Sequence, residues 1–453
     1  MDNIKSSLYR AWGFSQGRNN FRIINDTGNL YRKPYKSIPG DFIYCGNSLY
    51  IMAGKGVNLR DIAKKSILYT HYYKISNLKS DIMDYNGLRE ETIQKDMLLY
   101  VPNSIPAIIP DMKNRKKPDL IYTRGLYFTG NSAGSENFVK LVSGFNRIGI
   151  NTVVFDAKDV TGELTYLSRV PDAVKYNTDE KYVIGNVDGL IRNLKQNGIY
   201  TIARIAVFRD QLLCKRNPAL SIRSKRTGGI WNGSKEIWCD PTNKDVQDYN
   251  IQLAIELVEK GVDEIQFDYI RFPTSGDLQD AQYADHYGSI TKEETITGFL
   301  KRAYTEISRR NALLSIDIFG VVAWEKEIDI KKTGQRIGSL SKYCDIISPM
   351  LYPSHFEDDF DGYPSPGDAP YHFIYEGCKK TKSLAPLKPV RPWLQAFGWR
   401  VSNFNEDYIV KQIAACRDSG AYGYLFWHAS NSYGTVYNAL ERLNSRQEKD
   451  RNN

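Results

Sequence analysis

"DEIQFDYIRFP", residues 263–273, carries an apolar strand between Asp263 and Pro273 and ends that strand on a carboxylate, Asp268. Short, near-continuous apolar runs of this kind belong to strands covered on both faces, and such strands are found in parallel sheets. Seven more runs share the pattern: "RGLYFTG" (124–130), "NTVVFDAKD" (151–159), "YTIARIAVFRD" (200–210), "LLSIDIFGVVAW" (313–324), "CDIISPMLYPS" (344–354), "RPWLQAFGW" (391–399) and "GYLFWHAS" (423–430). Amphipathic stretches such as "VDGLIRNLKQNG" and "VQDYNIQLAIELVEKG" separate them, several stopping on the Gly or Asn that ends a helix. Eight strand–helix units predict a (β/α)8 TIM barrel over residues 120–445, with strands starting near Gly125, Thr152, Thr201, Glu264, Ser315, Ile346, Pro392 and Gly423. An open doubly wound sheet, the competing architecture, carries a tight Gly-rich turn after its first strand; "YFTGNSAGSENF" has glycines without that spacing.

Upstream the pattern changes. A short strand at "IMA" leads through "GKG" into "NLRDIAKKS", an Asn-capped segment with Leu59, Ile62 and Ala63 at helical spacing. A second helical stretch reaches "DYNGL", and "QKDMLLYVPNS" returns as a strand, so residues 43–103 predict a βααβ module. Residues 104–119, with Pro106, Pro110, Pro118 and the basic run "KNRKKP", read as a linker. Residues 1–42 read as an N-terminal extension and 446–453 as a polar tail.

At 453 residues, 42% hydrophobic and 25% charged, the chain has the composition of a soluble globular protein. No apolar run is long enough to span a membrane, and the first twenty residues hold no signal-type apolar segment. The net charge of +9 is dispersed apart from "KNRKKP" and "CKRNPALSIRSKR", so no nucleic-acid partner is expected. Six separated cysteines form no CxxC pair, and only Cys214 with Cys239 suggests a disulfide. His71, His286, His355, His372 and His428 stand alone, so neither a metal nor a cofactor is expected.

In a TIM barrel the chemistry lies at the C-terminal ends of the strands. There the sequence places Asp156 and Lys158 (strand two), Arg204 (three), Asp268 and Arg271 (four), Asp317 (five), Tyr352 and His355 (six), Gln395 and Trp399 (seven), and Trp427 and His428 (eight). Loop capping and ion pairing account for any one of these. A ring of carboxylates and aromatics suits glycoside hydrolysis, in which one carboxyl protonates the leaving oxygen, a second attacks or activates water, and aromatic faces stack on sugars. The flanking Asp156 and Asp159 would hold Lys158 charged, which argues against a Schiff-base amine.

"TRGLYFTGNSAG", "NTVVFDAKDVTGELTY", "DEIQFDYIRFP" and "SPMLYPSHF" resemble a family of bacterial glycosyl hydrolases of unknown function, related to alpha-amylase and alpha-galactosidase-like barrels. The resemblance implies retaining hydrolysis with Asp268 as the nucleophile. The acid/base does not carry over, because no Glu ends strand five or directly follows strand six. Asp317 comes first among the candidates, then Glu325, then Glu357 to Asp359. Alternation in "LSIDIFG" puts Ser315, Asp317 and Phe319 on one face. Asp317 then either reaches the cleft from one step below the rim or lies buried against Arg204.

The upstream module resembles a LysM domain, which binds N-acetylglucosamine-containing glycans, through Leu59–Ala63 and the Asn of "DYNGL". Together the resemblances imply an extracytoplasmic hydrolase of a bacterial envelope or secreted polysaccharide, docked through this module on peptidoglycan or chitin-like glycan. The alternative is a non-catalytic glycan-binding protein on a glycosidase-like barrel.

Overall fold

The computed structural model describes residues 42–45, 48–70, 72, 74–104, 115–233, 235–284 and 290–452. The expected N-terminal extension apart from Phe42, residues 105–114 of the expected linker, and His71 and His286 lie outside these residues. The chain divides into two compact units, residues 1–71 with 75–108 and residues 72–74 with 109–453.

In the first unit, strands β1 (Phe42–Cys45), β2 (Ser48–Ala53) and β3 (Met97–Val101) form an antiparallel sheet in the order β1-β2-β3. Helices Leu59–Ser66 and Ile75–Tyr85 lie between β2 and β3, which gives the expected βααβ order with one further strand ahead of it. The Asn58 side chain caps the first helix by accepting from Arg60 N–H at 2.8 Å, and Leu59, Ile62, Ala63 and Ser66 form its buried face. Asn86, the landmark of "DYNGL", holds the last strand. Its amide donates to the Ile82 and Tyr100 carbonyls at 2.7 and 2.8 Å and accepts from Tyr100 N–H at 2.8 Å.

The second unit is a closed parallel barrel of β4 (Thr123–Phe128), β5 (Thr152–Lys158), β6 (Tyr200–Ala206), β8 (Glu264–Asp268), β10 (Leu313–Phe319), β11 (Ile346–Met350), β12 (Trp393–Gln395) and β13 (Gly423–Trp427). The two-residue strands β7 (Arg223–Ser224) and β9 (Ala281–Gln282) pair with each other outside it. Each barrel strand starts at, or within two residues of, its expected position. Helices fill the gaps between strands, and their starts follow local chemistry. Asn186, Asn243 and Asn405 cap with their side chains, and Thr291 with Glu294 completes a capping box.

Outward residues such as Leu126, Phe128, Val153 and Phe155 join the apolar layer under the helices, while Tyr127, Val154, Ile202, Trp393 and Leu425 pack inside the barrel. The interior also holds polar side chains. Near the strand starts Arg391 and Glu264 form a bidentate buried pair, with the Tyr200 hydroxyl donating to Glu264 at 3.0 Å. Burial without a partner would cost each of these groups several kcal/mol. Part of the basic run before the barrel also serves it: Arg115 donates to the Val258, Val262 and Asn311 carbonyls, and Lys117 pairs with Asp345 at 2.8 Å. Cys214 and Cys239 are free, fully buried thiols whose sulfurs lie 3.0 Å apart.

Closure between β13 and β4 depends on Gly423. Its φ is +102°, and a Cβ there would stand 2.3 Å from the Thr123 carbonyl oxygen and 2.5 Å from the Thr123 nitrogen. Both atoms belong to the partner strand's backbone and cannot move aside. Gly423→Ala is expected to cost roughly 2–4 kcal/mol, from φ strain and overpacking together. Urea denaturation measures it, and a loss below about 0.5 kcal/mol would show that the seam is not rigid.

Candidate active site

Above the polar floor, the C-terminal ends of the strands surround an open cavity of about 890 Å³. This is within the size range of small-molecule binding sites. Seven of the expected residues line it: Asp156, Arg204, Asp268, Arg271, Tyr352, His355 and Trp427.

Arg204 is the electrostatic centre. Its Nη1 donates to Asp156 Oδ1 at 2.5 Å, its Nη2 and Nε donate to Asp268 Oδ2 at 2.6 and 3.2 Å, and Nε lies 4.0 Å from Asp317 Oδ2. The Tyr127 hydroxyl donates to the other oxygen of Asp156 at 2.5 Å. Burial pushes the Asp156 carboxyl above the usual carboxylate range, and Arg204 and Tyr127 oppose that push. Asp268 Oδ1 accepts from Tyr269 N–H at 2.6 Å. That contact accompanies a left-handed backbone at Tyr269, with φ of +54°, a conformation that is costly for a bulky residue and tends to mark functional sites. The carboxylate that ends "DEIQFD" is thus fixed through both oxygens at the cavity wall.

Aromatic rings form one side of the wall. Tyr127 and Trp427 are stacked with centroids 6.1 Å apart, and Tyr352 lies 5.8 Å from Trp427. Such faces suit the apolar faces of sugar rings. Tyr127 and Trp393 line the cavity although neither was expected there. Alternation along β4 would have found Tyr127, which shares its face with Gly125; Trp393 needed the three-residue strand β12 to be placed first.

Five expected residues lie elsewhere. Lys158 is fully buried, paired with Asp210 at 2.6 Å and donating to Asn250 Oδ1 at 2.9 Å and the Val207 carbonyl at 3.2 Å. Strict alternation would put it on the face of Asp156. A register shift between Asp156 and Lys158 instead pairs Lys158 with Ile205, and its side chain reaches helix Lys244–Glu259 rather than substrate. Gln395 is also fully buried, and its side chain accepts from Ser354 N–H and donates to the Phe397 carbonyl, holding two loops together. Trp399 is 57% exposed, packed edge-on to His355 at 5.4 Å and away from the cavity wall. His428 accepts at Nδ1 from Ser430 and Ser432 N–H, so it caps its own loop.

Asp317, expected to reach the cleft, sits beneath the cavity. It is 1% exposed, Trp393 Nε1 donates to its Oδ1 at 2.7 Å, and its Oδ2 is sealed without a hydrogen bond. Burial, then the nearby Asp268, pushes its carboxyl well above the usual range, against the pull of Arg204 and Trp393. A carboxyl whose folded pKa is raised contributes stability at low pH that is lost as pH rises above the unfolded value. Asp317→Asn, which keeps an acceptor for Trp393, is therefore expected to stabilise the fold at pH 7 by on the order of 1 kcal/mol. The gain should shrink toward pH 4. Thermal melts at both pH values measure it, and a loss of stability at pH 7 would contradict an upward shift of the Asp317 carboxyl.

No group of three or more His, Cys, Asp or Glu residues among the described residues is arranged to hold a metal ion, and no helix among them is long and apolar enough to cross a membrane.

Among solved structures, the chain resembles a hypothetical protein from Ruminiclostridium thermocellum ATCC 27405 at 37% identity, over 44% of this chain and 99% of that one, with a TM-score of 0.39. It also resembles the PgaB (BpsB) glycoside hydrolase domain from Bordetella bronchiseptica, at 14% identity over 70% of this chain and 98% of that one, with a TM-score of 0.52. A beta-galactosidase from the psychrophilic Marinomonas ef1 matches at 9% identity over 72% of this chain and 59% of that one, with a TM-score of 0.51. At these identities the two hydrolases speak for the barrel fold alone. No curated protein matches the chain. Residues 125–433 match the model of a family described as "Putative glycosyl hydrolase domain", and with well over half of its length in that match the chain belongs to this glycosyl hydrolase family.

Proposed function

We propose that the barrel hydrolyses a polysaccharide by a retaining mechanism, with Asp268 as the attacking carboxylate. The observation that carries this reading is the placement of Asp268 at the wall of the 890 Å³ cavity, held by Arg204 and the Tyr269 N–H beside an aromatic platform. Asp268 attacks the anomeric carbon to form a glycosyl ester while a second carboxyl protonates the departing oxygen. That group then takes a proton from the water that cleaves the ester.

The second carboxyl on this reading is Glu357, an exposed residue after β11 that lines the same cavity. Asp317, sealed beneath the cavity, acts through its neighbours as a positioning residue: it holds the Trp393 indole that lines the cavity wall. The N-terminal module, whose sequence resembles a LysM domain, docks the enzyme on peptidoglycan or chitin-like glycan on this reading. This assigns the protein to the extracytoplasmic envelope or secreted matrix.

The test is a panel of purified envelope and secreted glycans incubated with the wild-type full chain and with Asp268→Asn, reading release of reducing ends and the anomer first formed. Release by the wild type alone, with the anomeric configuration kept, supports the reading. Binding without release from any member would favour a non-catalytic glycan-binding barrel, and inverted product would remove Asp268 as nucleophile.

A further inference from the structure

Among the described residues of the barrel unit, three arginines are at least nine-tenths buried, and two of them are neutralised. Arg204, 5% exposed, is clamped on Asp156 and Asp268, and Arg391, 2% exposed, on Glu264. Arg271, 9% exposed, has no carboxylate within ion-pair distance among the described residues. Its one hydrogen bond runs from Nη1 to the Phe272 carbonyl at 3.1 Å. A guanidinium is almost never buried this far without a partner, and an uncompensated buried charge costs several kcal/mol.

The surroundings fix Arg271 in place without neutralising it. Its guanidinium lies over the rings of Trp238, Phe319 and Tyr269 at 4.9, 5.1 and 5.3 Å, a cage supplied by three separate segments of the barrel. Cation–π contact offsets part of the desolvation and fixes the plane of the group. None of its nitrogens is among the sealed, unpaired polar atoms of the interior, and the residue lines the cavity. The Nε/Nη2 edge is the one left open, and that edge is the fork that takes two oxygens of an anion. The cavity lining adds Lys326 and Lys332, neither in an ion pair among the described residues, beside the carboxylates of Asp329 and Glu357.

From this geometry we infer that the cavity recognises an acidic glycan, with a carboxylate or sulfate group of one sugar seated on the open edge of Arg271. The inference deepens the hydrolase reading and rests on it for the substrate being a saccharide. It assigns the subsite beside Asp268 to an anionic sugar residue and leaves the Tyr127–Trp427 side to an apolar sugar face.

The test uses the full chain carrying Asp268→Asn, so that ligands bind without turnover. Titration calorimetry compares oligogalacturonates (carboxylate) and sulfated galactan oligosaccharides (sulfate) with neutral cello-, xylo- and chito-oligosaccharides of equal length. At least one acidic series should bind ten-fold or more tighter than every neutral one, and whichever it is identifies the anion. Adding Arg271→Gln should bring the preference to within about three-fold, and Arg271→Lys, which keeps the charge and loses the fork, should leave an intermediate preference. If the Gln variant fails to fold by circular dichroism, the Lys variant carries the test. Equal binding of neutral and acidic series, no binding of either acidic series at millimolar concentration, or a preference that survives both substitutions would overturn the inference. The wild-type enzyme on the same panel separates the two readings. Cleavage of neutral glycans with no acidic binding removes only the anion subsite, and Arg271-dependent acidic binding with no cleavage of any glycan removes only the hydrolase.

Discussion

Asp268→Asn is expected to lower kcat on a cleavable glycan by at least about 10⁴-fold, the scale on which removal of a nucleophile acts. The amide keeps the side chain's shape and one acceptor oxygen but cannot form the glycosyl ester. Stability should change far less. Arg204 keeps its bond to Asp156, so the exchange weakens a charged hydrogen-bond pair rather than emptying the site. The expected cost is about 1–2 kcal/mol, within the margin of a folded domain. Glycan affinity should persist, since the aromatic wall is untouched. Glu357→Gln separates the second role. Its loss should be large for a natural glycan and small for an aryl glycoside whose leaving group needs no protonation. If Asp268→Asn keeps more than about 1% of wild-type turnover, the nucleophile is elsewhere, and if it loses turnover only because its melting curve has collapsed, the chemistry is untouched by the result.

What could be read from the sequence and what could not separate along a physical line. Strand positions were legible because a strand buried on both faces must be apolar throughout, and the helical stretches between them because their apolar residues recur at helical spacing. Asp268 was legible as well: a carboxylate at the C-terminal end of a barrel strand has few places to go. Lys158 was misplaced because one extra residue in β5 shifts its register against β6, and period-two alternation carries no sign of that shift. Asp317 was placed on the correct strand, whereas its access to the cavity is set by the Trp393 indole from β12, two strands away in the barrel. The cage around Arg271 joins Trp238, Tyr269 and Phe319, residues distant in sequence that only the closed barrel brings together. Local chemistry was readable; depth and cross-strand partnership were not.

The largest stability effect should come from Arg204→Met. The guanidinium is bonded to Asp156 and Asp268 and lies 4.0 Å from Asp317, all three 5% exposed or less. Methionine fills much of the volume and removes the only cation bonded to the two wall carboxylates among the described residues. A buried ion pair broken from one side costs about 3–5 kcal/mol, because the remaining charge has lost its compensation. The cost should depend on pH. Burial already pushes the Asp156 carboxyl upward, with Arg204 the main opposing influence, and Arg204 opposes the same push on Asp317. Without it both carboxyls titrate higher in the folded state, and a raised carboxyl gives stability at low pH that is lost as pH rises past the unfolded value. The deficit of Arg204→Met relative to wild type should therefore be greatest at pH 7 to 8 and shrink toward pH 4, where the carboxyls are neutral. Urea melts of both proteins across that range measure it. A deficit that stays constant with pH would mean that Arg204 contributes packing alone, and the charge network proposed to hold Asp268 for catalysis would lose its basis.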